Sequence, residues 1–294
     1  MRRIIVNADD FGLTSGVNRG IREAATLGIV SSTSLIANSL GFDEAIHIAS
    51  SKSVDSDPRL SIGCHIVLLD GRPVLPANDV QSLLGTEDRA LFRPSFMEFG
   101  LSAILGKLSP KDIEAEATAQ INRIQVAGLK LSHVDTHKHS HLFPAVMGPV
   151  IRAAKTCGIG SIRNPFYPNK FPSIRAVRRS HNLAKRYFQI PLLRRFGKEF
   201  RRLVEKEGMR TTDGCIGVYE PALSNIETLK DVLSRVPEGT WELVCHPGYV
   251  DEALDSVKTR LRESRVRELE LLTSKAALEL LDAEGISHIS YWDL

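Results

Sequence analysis

The stretch Ile4-Ile5-Val6-Asn7-Ala8-Asp9-Asp10-Phe11-Gly12 decides the fold, because an apolar β-branched run ends at once in an amide, two acids and a glycine. Such a run reads as a buried strand. Its apolar part is far shorter than a signal-peptide core of about 7–15 residues. Val17, Ile21, Ala24 and Ala25 follow at helical spacing, and Gly28 stops them. Strand then helix recurs along the chain. Strands are expected at Thr33–Ala37, Leu60–Val67, Leu131–Val134, Ser161–Arg163, Cys215–Val218, Trp241–Val244 and Ile286–Ile289. Helices are expected at Phe42–Ser51, from Ser109 to Gly128, at about Ala145–Cys157, after Ser224 with Glu227, and at about Ser256–Leu272 and Ser274–Glu284. This alternation predicts an α/β protein with a parallel sheet covered by helices.

Seven or eight such units in 294 residues suit a distorted or incomplete (β/α) barrel in a single catalytic domain, residues 1–294. A doubly wound open sheet is the alternative, weakened because no GxGxxG follows the first strand. Residues 70–108 lack clear periodicity and carry Pro73, Pro76 and Pro94, so a long loop over the site, holding at most one helix, is expected there.

Composition narrows the classes. An apolar fraction of 43% and a charged fraction of 25% are ordinary for a globular chain. No apolar run reaches the roughly 18 residues of a membrane span. Four scattered cysteines without a CxxC point to a reduced, cytoplasmic protein. The net charge of +3 hides an asymmetry, since Lys170 to Arg210 holds 13 Lys/Arg against three Glu. Leu192, Phe196, Phe200, Leu203 and Val204 recur at helical spacing among these charges. A basic helical insertion at about 170–210 covering the barrel is the default. Peripheral contact with an anionic membrane is the sharper reading. No nucleic-acid motif accompanies the charge.

In parallel α/β folds, chemistry gathers at the carboxyl ends of strands. Six of the nine histidines lie at such ends: His65, His133, His137, His139, His141 and His246. In extended chain, His133, Asp135, His137, His139 and His141 share one face because their spacings are even. Imidazoles and a carboxylate converging on one side suit a borderline divalent cation. Asp9 and Asp10 are either helix-capping acids or a pair with separate roles, one ligating a metal and one taking a proton from water.

The ordered motifs Asn7-Ala8-Asp9-Asp10-Phe11-Gly12, Gly63-Cys64-His65-Ile66-Val67-Leu68-Leu69-Asp70-Gly71-Arg72-Pro73, His133-Val134-Asp135-Thr136-His137-Lys138-His139-Ser140-His141 and Cys245-His246-Pro247 resemble the YdjC-like carbohydrate deacetylases. That family includes chitooligosaccharide deacetylases and a hopanoid-biosynthesis-associated branch. The resemblance implies a barrel of the glycoside hydrolase/deacetylase type and one divalent metal ion, Mg²⁺ or Zn²⁺, held by Asp10, His65 and His137. It implies Asp9 as general base and His246 as the acid for the leaving amine. Arg163 is expected to steady the oxyanion, or else to pair with an acid at its strand end. Asp135, His139 and His141 are expected to orient ligands or touch sugar. The expected reaction is removal of an N-acetyl group from an amino sugar, free or lipid-linked, by a chain that is a possible homo-oligomer. A glycosidase, which needs two carboxylates flanking the scissile bond, and a non-catalytic sugar- or lipid-binding protein are the rival classes.

Overall fold

In the computed structural model, which describes residues 1–51, 60–166, 190–216, 223 and 225–294, the chain opens directly into β1 (Arg2–Phe11), buried from Ile4 onward. Helix α1 (Ser15–Leu27) follows, with Thr14 accepting the Val17 amide at 3.3 Å. Val17, Ile21 and Ala24 are its buried stripe. Burying a side chain the size of Val17 or Ile21 stabilises the fold by about 1.5–3 kcal/mol. Then come β2 (Ser32–Leu35), α2 (Phe42–Ala49) and β3 (Ser61–Ile66). The long connection carries short 3₁₀ turns and α3 (Phe96–Ile104). It is tied down by α4 (Pro110–Val126), whose buried Glu116 accepts the Val74 and Leu75 amides at 2.8 and 3.1 Å.

Next are β4 (Val134–Thr136), α5 (Pro144–Thr156), α6 (Ile190–Lys206), β5 (Gly214–Ile216) and α7 (Ile226–Ser234). The chain ends with β6 (Gly239–Cys245), α8 (Glu252–Asp255), α9 (Glu263–Leu272), α10 (Lys275–Ala283) and β7 (Ser287–Ile289). All strand pairs are parallel, in the order β4-β3-β2-β1-β6-β5, with β7 also on β1. Isolated bridges Val134↔Ile162 and Ser161↔Arg210 carry the sheet from β4 toward β5. The result is the expected distorted or incomplete α/β barrel, a parallel half-barrel whose β4 and β5 edges are approached only by isolated bridges among the described residues.

Several expected elements are displaced. The strand expected at Leu131–Val134 forms at Val134–Thr136, and the one at Ser161–Arg163 survives only as bridges. The helix expected over about Ser256–Leu272 forms only in its second half, as α9, and the short α8 precedes the expected span. Helix α7 is capped by Asn225, which accepts the Thr228 amide at 2.9 Å; Ser224 lies outside the described residues. Of the basic segment, residues 167–189 also lie outside them. On α6, Phe200 and Val204 are buried while Lys198, Arg201 and Arg202 face outward. Its described apolar side is therefore used on the barrel. Among the described residues no helix is long and apolar enough to cross a membrane.

Candidate active site

The carboxyl ends of β1, β3, β4 and β6 meet on one face. Strand pairing sets His65 beside Asp135 and Ala8 beside Cys245. Adjacent residues of a strand point to opposite faces, so Asp9 and Asp10 need a break to work in one site. The β1–β2 register shifts between Ala8 and Phe11, and Asp10 takes φ 71°. A left-handed non-glycine residue is costly and persists only where its surroundings enforce it.

Asp10 Oδ1 lies 3.7 Å from His65 Nε2 and 3.7 Å from His137 Nδ1. The three donor atoms fall within 4.8 Å of one another. These gaps are too long for hydrogen bonds. Two ligands about 2.1 Å from one ion at a tetrahedral angle would be separated by about 3.4 Å, close to what is seen. One carboxylate oxygen and two imidazole nitrogens form a donor set that a divalent cation fits. The His65 ring is aimed by its other nitrogen, which sits 2.9 Å from Asp135 Oδ1. In the neutral ring, donation of Nδ1–H to Asp135 leaves the Nε2 lone pair facing Asp10. Ser34 steadies the same carboxylate, its hydroxyl donating to Asp135 Oδ2 at 3.0 Å.

Behind this face lies a buried ion network. Arg163 is fully buried and all its N–H groups are placed. It donates twice to Asp9, at 2.8 and 2.6 Å, and twice to Glu242 Oε1, at 2.9 and 2.7 Å. It also pairs with Asp135 Oδ2 at 2.5 Å. Of the two expected roles for Arg163, the pairing role is the one the geometry allows. With no free donor, it does not reach an oxyanion. Burial opposes ionisation of Asp9 and Asp135, but the Arg163 guanidinium wins and holds both carboxyls below the usual range. The Tyr291 hydroxyl donates to Glu242 Oε2 at 2.5 Å. Burial opposes the charged imidazolium of His65, yet Asp135 and Asp9 push its pKa up to about 9. Asp9, Asp10, Asp135 and Glu242 thus face two buried guanidiniums, Arg163 and Arg265.

The other histidines do not share one face, as the extended-chain reading required. Strand β4 stops at Thr136, and the chain turns through a 3₁₀ segment in which Lys138 and His139 have φ 52° and 51°. His141 turns inward, with Nδ1 2.6 Å from Thr136 Oγ1 and Nε2 3.1 Å from Arg163 O. Buried and held on both nitrogens, it stands behind Arg163. Burial pushes its pKa down to about 4. His133 stacks on Tyr291, rings 3.7 Å apart and 8° from parallel. His139 is half-buried, its Nδ1 without a partner. His246 is half-buried beside Asp9 and Asp10, whose charges partly offset the burial that lowers its pKa. Its amide donates to Glu268 Oε2 at 2.6 Å.

Glu242, Ser34 and Arg265 belong to the site without standing in any of the motifs. A lone acid inside the apolar strand Trp241–Val244 was a usable signal for Glu242, because buried charges need partners. Arg265 gave none, since it sits among the charges of α9.

A family model described as YdjC-like protein matches residues 3–283. The chain belongs to the YdjC-like family. A carbohydrate deacetylase from Brevibacillus brevis is 30% identical over 293 residues, covering 99% of both chains. Carbohydrate deacetylase 1 from Listeria innocua is also 30% identical, over 99% of this chain and 100% of its own. Among solved structures, this YdjC-like chain resembles an Enterococcus faecalis V583 protein described as a candidate cellobiose-phosphate cleavage protein. The TM-score is 0.76 at 28% identity, with 99% of this chain and 98% of the other covered.

Proposed function

We propose that this YdjC-like protein is a divalent-cation-dependent deacetylase that releases acetate from an N-acetylated amino sugar. The observation that carries the reading is the convergence of Asp10 Oδ1, His65 Nε2 and His137 Nδ1 within 4.8 Å, directly beside the Arg163-bound Asp9. The full-length likeness to carbohydrate deacetylases supports the same reaction class.

Asp10, His65 and His137 would hold the cation, and Asp135 would keep His65 in the tautomer that ligation needs. When bound, such a cation polarises an acyl oxygen and acidifies water. Asp9, kept ionised at neutral pH by Arg163, is the group placed to accept the proton of an attacking water. His246, on the β6 end beside both aspartates, is the candidate donor of a proton to the departing amine. The glycosidase alternative needs one carboxylic acid kept protonated near neutrality. Asp9 and Asp135 are both driven the other way by Arg163. The two nearby acids that burial does raise are themselves buried, Glu242 held by Arg163 and Tyr291 and Glu268 by the His246 amide.

The test is acetate release from a panel of N-acetylated sugars by protein stripped of metal and reloaded with Zn²⁺, Mg²⁺, Mn²⁺ or Co²⁺, with Asp10→Ala as control. Cation-dependent acetate release that Asp10→Ala abolishes is expected. Equal behaviour of the two proteins on every substrate refutes the reading. Sugar binding without acetate release would favour the non-catalytic class.

A further inference from the structure

Arg265 lies on α9, 255 residues along the chain from Asp10, and is 1% exposed. Its Nη2 donates to Asp10 Oδ2 at 2.5 Å and its Nε to Leu261 O at 3.1 Å. Its Nη1 is buried without a partner. Stripping water from a guanidinium while leaving one nitrogen unpaired is costly. The side chain that accepts its charge is Asp10.

The Asp10 carboxylate is therefore divided. Oδ1 faces His65 and His137, each at 3.7 Å, while Oδ2 is held by the guanidinium. The left-handed backbone at Asp10 limits how the side chain can turn. We propose that Arg265 is a positioning residue that restricts Asp10 to one-oxygen ligation and thereby biases the site against large, oxygen-preferring cations. This rests on the proposed cation site. The physical reason lies in the ions' demands. Calcium takes about 6–8 oxygens and readily uses both oxygens of a carboxylate. Zinc takes about four ligands and is content with one oxygen and two imidazoles. With Oδ2 engaged, the chain offers the set that suits the smaller ion.

The experiment compares Zn²⁺ and Ca²⁺ affinities, by competition against an indicator dye, in the unmodified protein, Arg265→Met and Arg265→Lys. Both ions carry the same charge. The ratio of their affinities therefore cancels the added negative charge and any general loosening that the substitution brings. In Arg265→Met, the Ca²⁺ to Zn²⁺ affinity ratio is expected to rise about tenfold or more, the scale on which groups behind a ligand act. Arg265→Lys keeps a donor for Oδ2 and is expected to stay near the unmodified ratio. An unchanged ratio in folded Arg265→Met overturns the inference, as does an equal shift in Arg265→Lys. If Arg265→Met does not fold, crystals of the unmodified protein soaked in Zn²⁺ decide. Oδ2 remaining on Arg265 supports the inference, and both Asp10 oxygens on the ion overturn it. An unmodified protein that binds neither ion removes the cation site itself, and this inference with it.

Discussion

Replacing Arg163 with methionine tests the buried ion network most severely. The side chain is fully buried and holds Asp9, Asp135 and Glu242 together through contacts of 2.5–2.9 Å. Methionine occupies part of the same volume and supplies no donor. Breaking one buried pair by removing a partner costs about 3–5 kcal/mol. Here one change orphans three acids, which belongs at the upper end, about 5 kcal/mol. Glu242 softens the loss, because burial already raises its pKa and readies it to take up a proton. At about 2 °C per kcal/mol for a chain of this size, Tm falls by about 10 °C. Thermal unfolding followed by circular dichroism, in chelator so that bound cations do not contribute, gives the number. Arg163→Met combined with Glu242→Leu should recover part of the loss, since it removes one orphaned acid. A single variant within about 1 kcal/mol of the unmodified protein would refute the claim that this network holds the strand ends together.

Further outcomes follow from neighbouring contacts. Asp135→Asn removes the anchor of His65 Nδ1 and is expected to weaken cation binding about 10–100-fold by calorimetry; unchanged affinity would mean that Asp135 does not orient His65. Gly63→Ala puts a Cβ 2.4 Å from the His133 ring, which is itself stacked on Tyr291 at 3.7 Å. Urea unfolding is expected to show a loss of about 1–3 kcal/mol, and a loss below measurement error would show that the ring can move aside. Burial pushes the Glu268 pKa from 4.5 up to about 7. The folded state then binds a proton more tightly than the unfolded state. That contribution to stability is full below pH 4.5 and is lost as pH rises through 7. The difference is about 3 kcal/mol. Glu268→Gln is expected to flatten the fall in Tm between those pH values; an unaltered slope would show that Glu268 does not titrate as described.

The chain's local patterns fixed the architecture. Apolar runs at Ile4–Val6 and Trp241–Val244, helical stripes such as Val17, Ile21 and Ala24, and stops such as Gly28 need only nearest-neighbour physics to be read. Strand ends carry the chemistry in parallel folds, so the clustered acids and histidines there marked where the site lies. Only the motif resemblance singled out Asp10, His65 and His137 among them. Local pattern failed where the backbone left regular geometry. Parity counting along His133–His141 assumed an extended chain, but positive φ at Lys138 and His139 turned each imidazole to a different task.

Tertiary structure alone decided which charges meet. Arg163 lies 154 residues from Asp9, and Arg265 lies 255 from Asp10. No periodicity reports a contact at such separation. A buried charge must find a partner in space, and the fold, not the spacing along the chain, chooses it. The sequence therefore determined what kinds of group stand at the strand ends. The folded chain determined that Arg163 is an anchor for acids and that Asp10 keeps one oxygen free.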